Sequence, residues 1–111
     1  MATRDFSDKQ EKRIAKLLCG RVTPNSGGTK FGGGDVIAEP FLIEAKTVTT
    51  PKNSISVKKE WIDKINKQAF EQGLREGIVA IQFEPDGMNY FLLDESQMAD
   101  YYNYIMADRY S

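Results

Sequence analysis

The 111-residue chain contains no histidine. That removes Ser-His-Asp and Cys-His hydrolases, zinc sites built on imidazole, and any nuclease with histidine as its general base. Chemistry near pH 7 must then come from carboxylates, lysine, hydroxyls or a metal held by oxygen ligands. Cysteine is almost as scarce: Cys19 stands alone, which excludes an internal disulfide and a multi-cysteine zinc site. A cytoplasmic setting is therefore expected. No apolar run approaches the roughly 18 residues of a membrane span. The start, Met1-Ala2-Thr3-Arg4-Asp5, lacks the apolar core of a secretory signal, so no membrane partner is expected. The spacings G-x-x-x-x-G-K-[ST] and G-x-G-x-x-G are both missing, and with them any expectation of a nucleotide cofactor.

What is present fits one globular domain over residues 1–111, with 41% apolar and 28% charged side chains. Its net charge of −1 hides a split. Residues 1–70 carry a balance of +5 and residues 71–111 a balance of −6. A polyanionic partner should therefore meet the first part of the chain, and the acidic part should face away, toward solvent or a dimer contact.

Residues 1–6 are expected to be flexible. Ser7 to Cys19 then reads as a helix, with Ser7 as N-cap, Gln10 as its capping-box partner and Gly20 as the stop. Ile14, Leu17 and Leu18 form its apolar stripe, and Glu11 points along that stripe. Glu11 is either an edge carboxylate reaching solvent or part of a site. Arg21-Val22-Thr23 reads as a short strand. Residues 25–34 hold five of the nine glycines and read as a mobile loop. Two strands follow, Asp35–Ala38 and Phe41–Val48, joined by a tight Glu39-Pro40 turn. A long helix spans Ser56–Gln72, with Val57, Trp61, Ile65 and Ala69 at four-residue intervals and Gly73 as the stop. Gln68 borders its buried face. An almost wholly apolar strand, Ile78–Phe83, belongs in a sheet interior. Pro85-Asp86-Gly87-Met88 marks a turn before a strand at Asn89–Leu93. Asp94 can cap a last helix with Gln97, whose stripe is Met98, Tyr101, Tyr102 and Ile105. The order α-β-β-β-α-β-β-α gives an α/β fold, a mixed sheet flanked by helices.

One constellation carries chemistry. Alternation puts Leu42, Glu44 and Lys46 on one strand face and Phe41, Ile43 and Ala45 on the other. The short turn brings Asp35 close to Glu44. Two carboxylates and an ammonium then converge at one hairpin end, where charge is costly beside Phe41-Leu42-Ile43. Asp35 and Glu44 suit Mg²⁺, with the Ala45 carbonyl as a further ligand and Mn²⁺ as a substitute. Lys46 can orient a water or stabilise developing negative charge. An ordinary cross-strand salt bridge on a solvated face explains Glu-x-Lys as well. The preceding glycine loop, the element order and the concentration of basic residues favour the site.

Asp35, followed after eight residues by Glu44-Ala45-Lys46, resembles the PD-(D/E)xK signature of restriction-endonuclease-like nucleases, with Gly34 in place of the proline. Together with Arg21-Val22, Asn25-Ser26-Gly27-Gly28, Gly34-Asp35-Val36-Ile37 and Leu42-Ile43-Glu44-Ala45-Lys46-Thr47, it is similar to small Holliday junction resolvases of archaeal and phage type. The likeness covers roughly residues 7–93. It implies a restriction-endonuclease-like sheet and an active site of Glu11, Asp35, Glu44 and Lys46. It also implies Glu11 among the metal ligands and Ser26 as a loop serine near the scissile phosphate. It further implies a homodimer that nicks four-way DNA junctions in a bacterial, archaeal or phage-infected cell; so compact a chain is typical of phage members.

DNA contacts should be directed at phosphates and salt-dependent. The candidates are Arg21, Ser26, Lys30, Lys52, Lys58 and Lys59, with Lys58 and Lys59 ranked above Lys64 and Lys67 because they open the helix after the catalytic strand. The bland alternative for each lysine is a solvated surface. Tyr101, Tyr102 and Tyr104 read as core packing or dimer contact before DNA stacking. Two rivals remain: a nuclease of the same chemistry acting on flaps, nicks or duplex DNA, and a non-catalytic DNA-binding module of the same fold.

Overall fold

The computed structural model describes residues 3–23 and 35–110. The expectations placed on residues 24–34, including Ser26, Lys30 and the glycine loop, lie outside the described residues. The elements run α1 (Thr3–Leu18), β1 (Arg21–Val22), β2 (Val36–Ala38), β3 (Phe41–Lys46), α2 (Lys59–Glu71), β4 (Glu76–Gln82), β5 (Asn89–Leu92) and α3 (Glu95–Tyr110). This is the α/β order read from the sequence. The five strands lie side by side in chain order, antiparallel except for the parallel β3–β4 pair, which α2 connects. Among the described residues no helix is long and apolar enough to cross a membrane.

Strand alternation sorts the sheet into two apolar layers. Val36, Ala38, Ile43, Ile78 and Ala80 pack under Ile14 and Ala15 of α1. Leu42, Val79 and Ile81 pack under Ile65, Ala69, Trp61 and Ile62 of α2. Burying each large aliphatic side chain stabilises the fold by about 1.5–3 kcal/mol. β4 lies between β3 and β5 with helices on both faces, and its residues Gly77–Gln82 are all buried, as its apolar run requires. Gly77 lets α2 approach: a Cβ there would sit 2.5 Å from the backbone carbonyl of Ile65.

Several boundaries differ from those read in the sequence. α1 begins at Thr3, so Ser7 is inside the helix, and residues 3–6 belong to it. The expected capping partner Gln10 is instead buried, bonded to Lys46 at the end of β3 and to Asn89 at the start of β5. At the other end the left-handed residue is Cys19 (φ 55°), ahead of the expected Gly20. α2 starts at Lys59 because Lys58 is extended (φ −93°, ψ 132°), which leaves Val57 off the helix and 40% exposed. Its stop is as expected: Gly73 is left-handed (φ 73°), and the Leu74 amide donates to the Ala69 carbonyl at 2.8 Å. The α3 cap also forms as read. The Gln97 amide donates to Asp94 Oδ1 at 2.8 Å, and the Asp94 amide to Gln97 Oε1 at 2.9 Å.

The α3 stripe is the largest departure from a simple core reading. Met98, Tyr101, Tyr102 and Ile105 are 41–56% exposed. The helix is tied to the body by Arg75–Asp100 at 3.2 Å and by Gln97 Nε2 donating to the Gly77 carbonyl at 3.4 Å. Between α3 and the α1 face of the sheet lies an apolar groove of about 530 Å³, walled by Leu18, Phe41, Phe91, Tyr101 and Tyr104.

Candidate active site

The β2–β3 hairpin turns through a cis Glu39–Pro40 peptide, with Ala38 paired to Phe41, Ile37 to Leu42 and Val36 to Ile43. The ladder ends at that last pair, and Asp35 lies just beyond it. Two hydrogen bonds tie Asp35 to the residues that flank Glu44. The Asp35 amide donates to the Ile43 carbonyl at 2.9 Å, and the Ala45 amide donates to Asp35 Oδ2 at 2.8 Å. A third bond, from the Thr23 amide to the Asp35 carbonyl at 2.9 Å, ties the same residue to the end of β1. Asp35 is 4% exposed. A buried carboxylate held by a backbone N–H is a charge-assisted contact, short and orienting.

Glu44 and Lys46 project from the α2 face of β3, as alternation predicts. They share a cavity of about 410 Å³ with Glu60, Trp61 and Lys64 of α2. The Lys46 ammonium lies 4.4 Å from the centroid of the Trp61 ring. That is a cation–π distance.

The opposite face of the same strand end is anchored by α1. Gln10, 1% exposed, donates through Nε2 to the Lys46 carbonyl at 3.2 Å and to Asn89 Oδ1 at 3.0 Å. Its Oε1 accepts from the Thr47 hydroxyl at 2.6 Å. Glu11 follows Gln10 on α1 and is also buried, at 4%. It therefore belongs to the α1 layer, and it is not among the residues lining the Glu44–Lys46 cavity. Among the described residues no three Asp, Glu or Cys side chains gather closely enough to hold an ion.

The basic candidates scatter more widely. Arg21 is exposed on the edge strand β1, and Lys52 is exposed with its amide bonded to the Phe83 carbonyl at 2.7 Å. Lys58 and Lys59 face acids, Glu60 at 4.0 Å and Asp63 at 2.8 Å. Lys64, ranked below them in the sequence, lines the cavity instead. Sequence reasoning also passed over Glu60 and counted Trp61 only as a core residue. The available signal was an i, i+4 Glu60–Lys64 pair beside Trp61 on one helix face. Gln68 lies seven residues beyond Trp61, about 10 Å along the axis. Its buried Oε1 lacks a hydrogen-bond partner, and it stands outside the cavity. The chain matches no known protein family, no curated protein and no solved structure.

Proposed function

We propose that this protein is a metal-dependent, structure-selective DNA endonuclease of restriction-endonuclease-like fold, acting on four-way junctions as a homodimer. The observation that carries the reading is the hairpin end. Asp35 is bonded to the residues on both sides of Glu44, and Glu44 and Lys46 open together into one cavity.

The donor set fits Mg²⁺ or Mn²⁺. Mg²⁺ keeps several waters and is commonly bound by one or two carboxylates plus substrate phosphate, so a cage of three carboxylates is not required. Asp35 and Glu44 would hold the ion, with the Ala45 carbonyl as a backbone donor. Glu11 enters as a buried carboxylate on the other side of the same sheet end. The bound ion would supply Lewis acidity, activating water and offsetting charge on the phosphoryl group.

The protein's own groups do the rest. Asp35 is fixed by the Ala45 amide, so its carboxylate needs little reorganisation when a phosphate arrives. Lys46 donates to the phosphoryl oxygen on which negative charge builds as water adds to phosphorus and an ester oxygen leaves. Lys64 adds positive charge at the cavity rim and neutralises a flanking phosphate. No step needs histidine.

The dimer is supported by α3. A stripe at i, i+3, i+4 and i+7, left exposed beside an apolar groove, suits a two-fold contact in which each copy presents the same surface.

The test is cleavage of a synthetic four-way junction with Mg²⁺, with flap, nicked and linear duplex DNA alongside at one salt concentration. The junction should be nicked symmetrically, and Asp35→Asn and Glu44→Gln should bind it without cutting. Preference for another substrate would keep the chemistry and replace the target. Junction binding with no cleavage by the wild type would favour a non-catalytic DNA-binding module.

A further inference from the structure

Lys46 has four rotatable side-chain bonds, and an ammonium on so flexible a stem is a poor catalytic donor unless something holds it. Among the described residues it makes no ion pair, although Glu44 and Glu60 line the same cavity. What lies against it is the face of Trp61, at 4.4 Å. Trp61 is itself held firmly. It is half-buried in the first turn of α2 and packs on the cluster of Leu42, Ile65 and Val79. The ring thus links the apolar layer beneath to the charge above.

We propose that Trp61 is a positioning residue: its indole face holds the Lys46 ammonium at the mouth of the Glu44 cavity. The inference rests on the nuclease reading for its functional consequence, but the contact stands on its own geometry. An aromatic face suits the task better than a carboxylate. A carboxylate would compete with the phosphate for the ammonium, whereas the ring quadrupole attracts the cation without removing its N–H donors. Indole is the strongest of the aromatic faces, and phenyl retains part of the attraction.

Two variants separate positioning from packing. Trp61→Leu keeps an apolar side chain and removes the ring; Trp61→Phe keeps a ring. NMR of the wild type should show the Lys46 ε-methylene protons shifted upfield by the ring current. That shift should persist in part in Trp61→Phe and vanish in Trp61→Leu. On a four-way junction, Trp61→Leu should lower kcat by about 5- to 30-fold, the factor a cation–π contact supplies. KM should stay unchanged, and Trp61→Phe should recover most of the rate. Random-coil Lys46 shifts in the wild type would overturn the inference, as would wild-type kcat in Trp61→Leu. A rise in KM at constant kcat would also overturn it and make Trp61 a DNA contact. If Trp61→Leu does not fold, the wild-type spectrum and Trp61→Phe decide. If the wild type cuts no DNA, the nuclease reading fails, and the Lys46 shift alone decides whether Trp61 holds the ammonium.

Discussion

Replacing Gln10 with methionine isolates the polar anchor beneath the candidate site. The substitution keeps side-chain length and removes both hydrogen-bonding ends. Three groups lose a partner: the Lys46 carbonyl, Asn89 Oδ1 and the Thr47 hydroxyl. Thr47 is half-buried and can turn toward water, so its loss is small. Asn89 is 9% exposed, and its Nδ2 already lacks a partner, so its orphaned oxygen bears the full desolvation penalty. One buried orphan costs about 1–3 kcal/mol, and a part-buried carbonyl less. The expected loss is about 2–4 kcal/mol, which for a domain of this size lowers Tm by roughly 8–16 °C. Urea unfolding followed by fluorescence of Trp61, the chain's one tryptophan, reads this directly. The slope m should stay constant while the midpoint falls. Thr47→Val should cost less in the Gln10→Met background than in the wild type, because the shared bond is already gone. A change under about 0.5 kcal/mol would refute the reasoning, since buried amides are held to be hydrogen-bonded because leaving them open is expensive. Gln10→Glu adds a sign test. Its carboxylate would face two acceptors, so burial and repulsion raise its folded pKa above the usual value near 4.3. That variant should approach wild-type stability below pH ~4 and lose it as pH rises through the raised pKa.

Three other outcomes follow from the packing. Gly77→Ala should destabilise by at least about 2 kcal/mol in the same urea assay, because the new methyl meets the Ile65 backbone, which cannot yield as a side chain would. Lys64→Gln should weaken binding to all DNA sequences alike and reduce the slope of log K against log salt by about 0.9, read by fluorescence anisotropy; an unchanged slope would remove Lys64 from the interface. Ile105→Asp should convert a dimer into a monomer by light scattering without altering the circular dichroism, because Ile105 is 41% exposed in one copy.

How much of this was legible in the sequence depends on how local each signal is. The Asp94–Gln97 cap, the Gly73 stop and the apolar β4 were readable because each is decided within a few residues. Ser7-x-x-Gln10 has the same local form as a cap and is not one. Gln10 finds better partners 36, 37 and 79 residues away, and no periodicity encodes that. Alternation along β3 placed Glu44 and Lys46 on one face, but not what faces them. Trp61, Glu60 and Lys64 come from the other side of a parallel crossover, and the four-residue spacing of Trp61 with Ile65 and Ala69 fits a core stripe as readily as a site wall. The α3 stripe was legible as amphipathic. A single chain cannot show whether such a face is buried by its own sheet or left for another surface.

The two faces of β3 explain why its last residues can carry charge at all. Toward α2, Glu44 and Lys46 interrupt an apolar layer and open into a cavity instead of a core. A strand end left polar on that side alone would fray, since its carbonyls and side chains both favour water. On the α1 side, Gln10 bonds the Lys46 carbonyl and the Thr47 hydroxyl. From the neighbouring strand end, Asp35 takes the Ala45 amide. The Ala45 amide, the Lys46 carbonyl and the Thr47 side chain are thus held by side chains, one residue after another, where the sheet's apolar grip ends. Freedom is removed from the main chain so that the charged side chains can be aimed. Loosening Gln10 should therefore lower activity by more than the loss of folded protein accounts for, even at temperatures where the variant is fully folded. Activity that merely tracks the folded fraction would mean that the anchor serves stability alone.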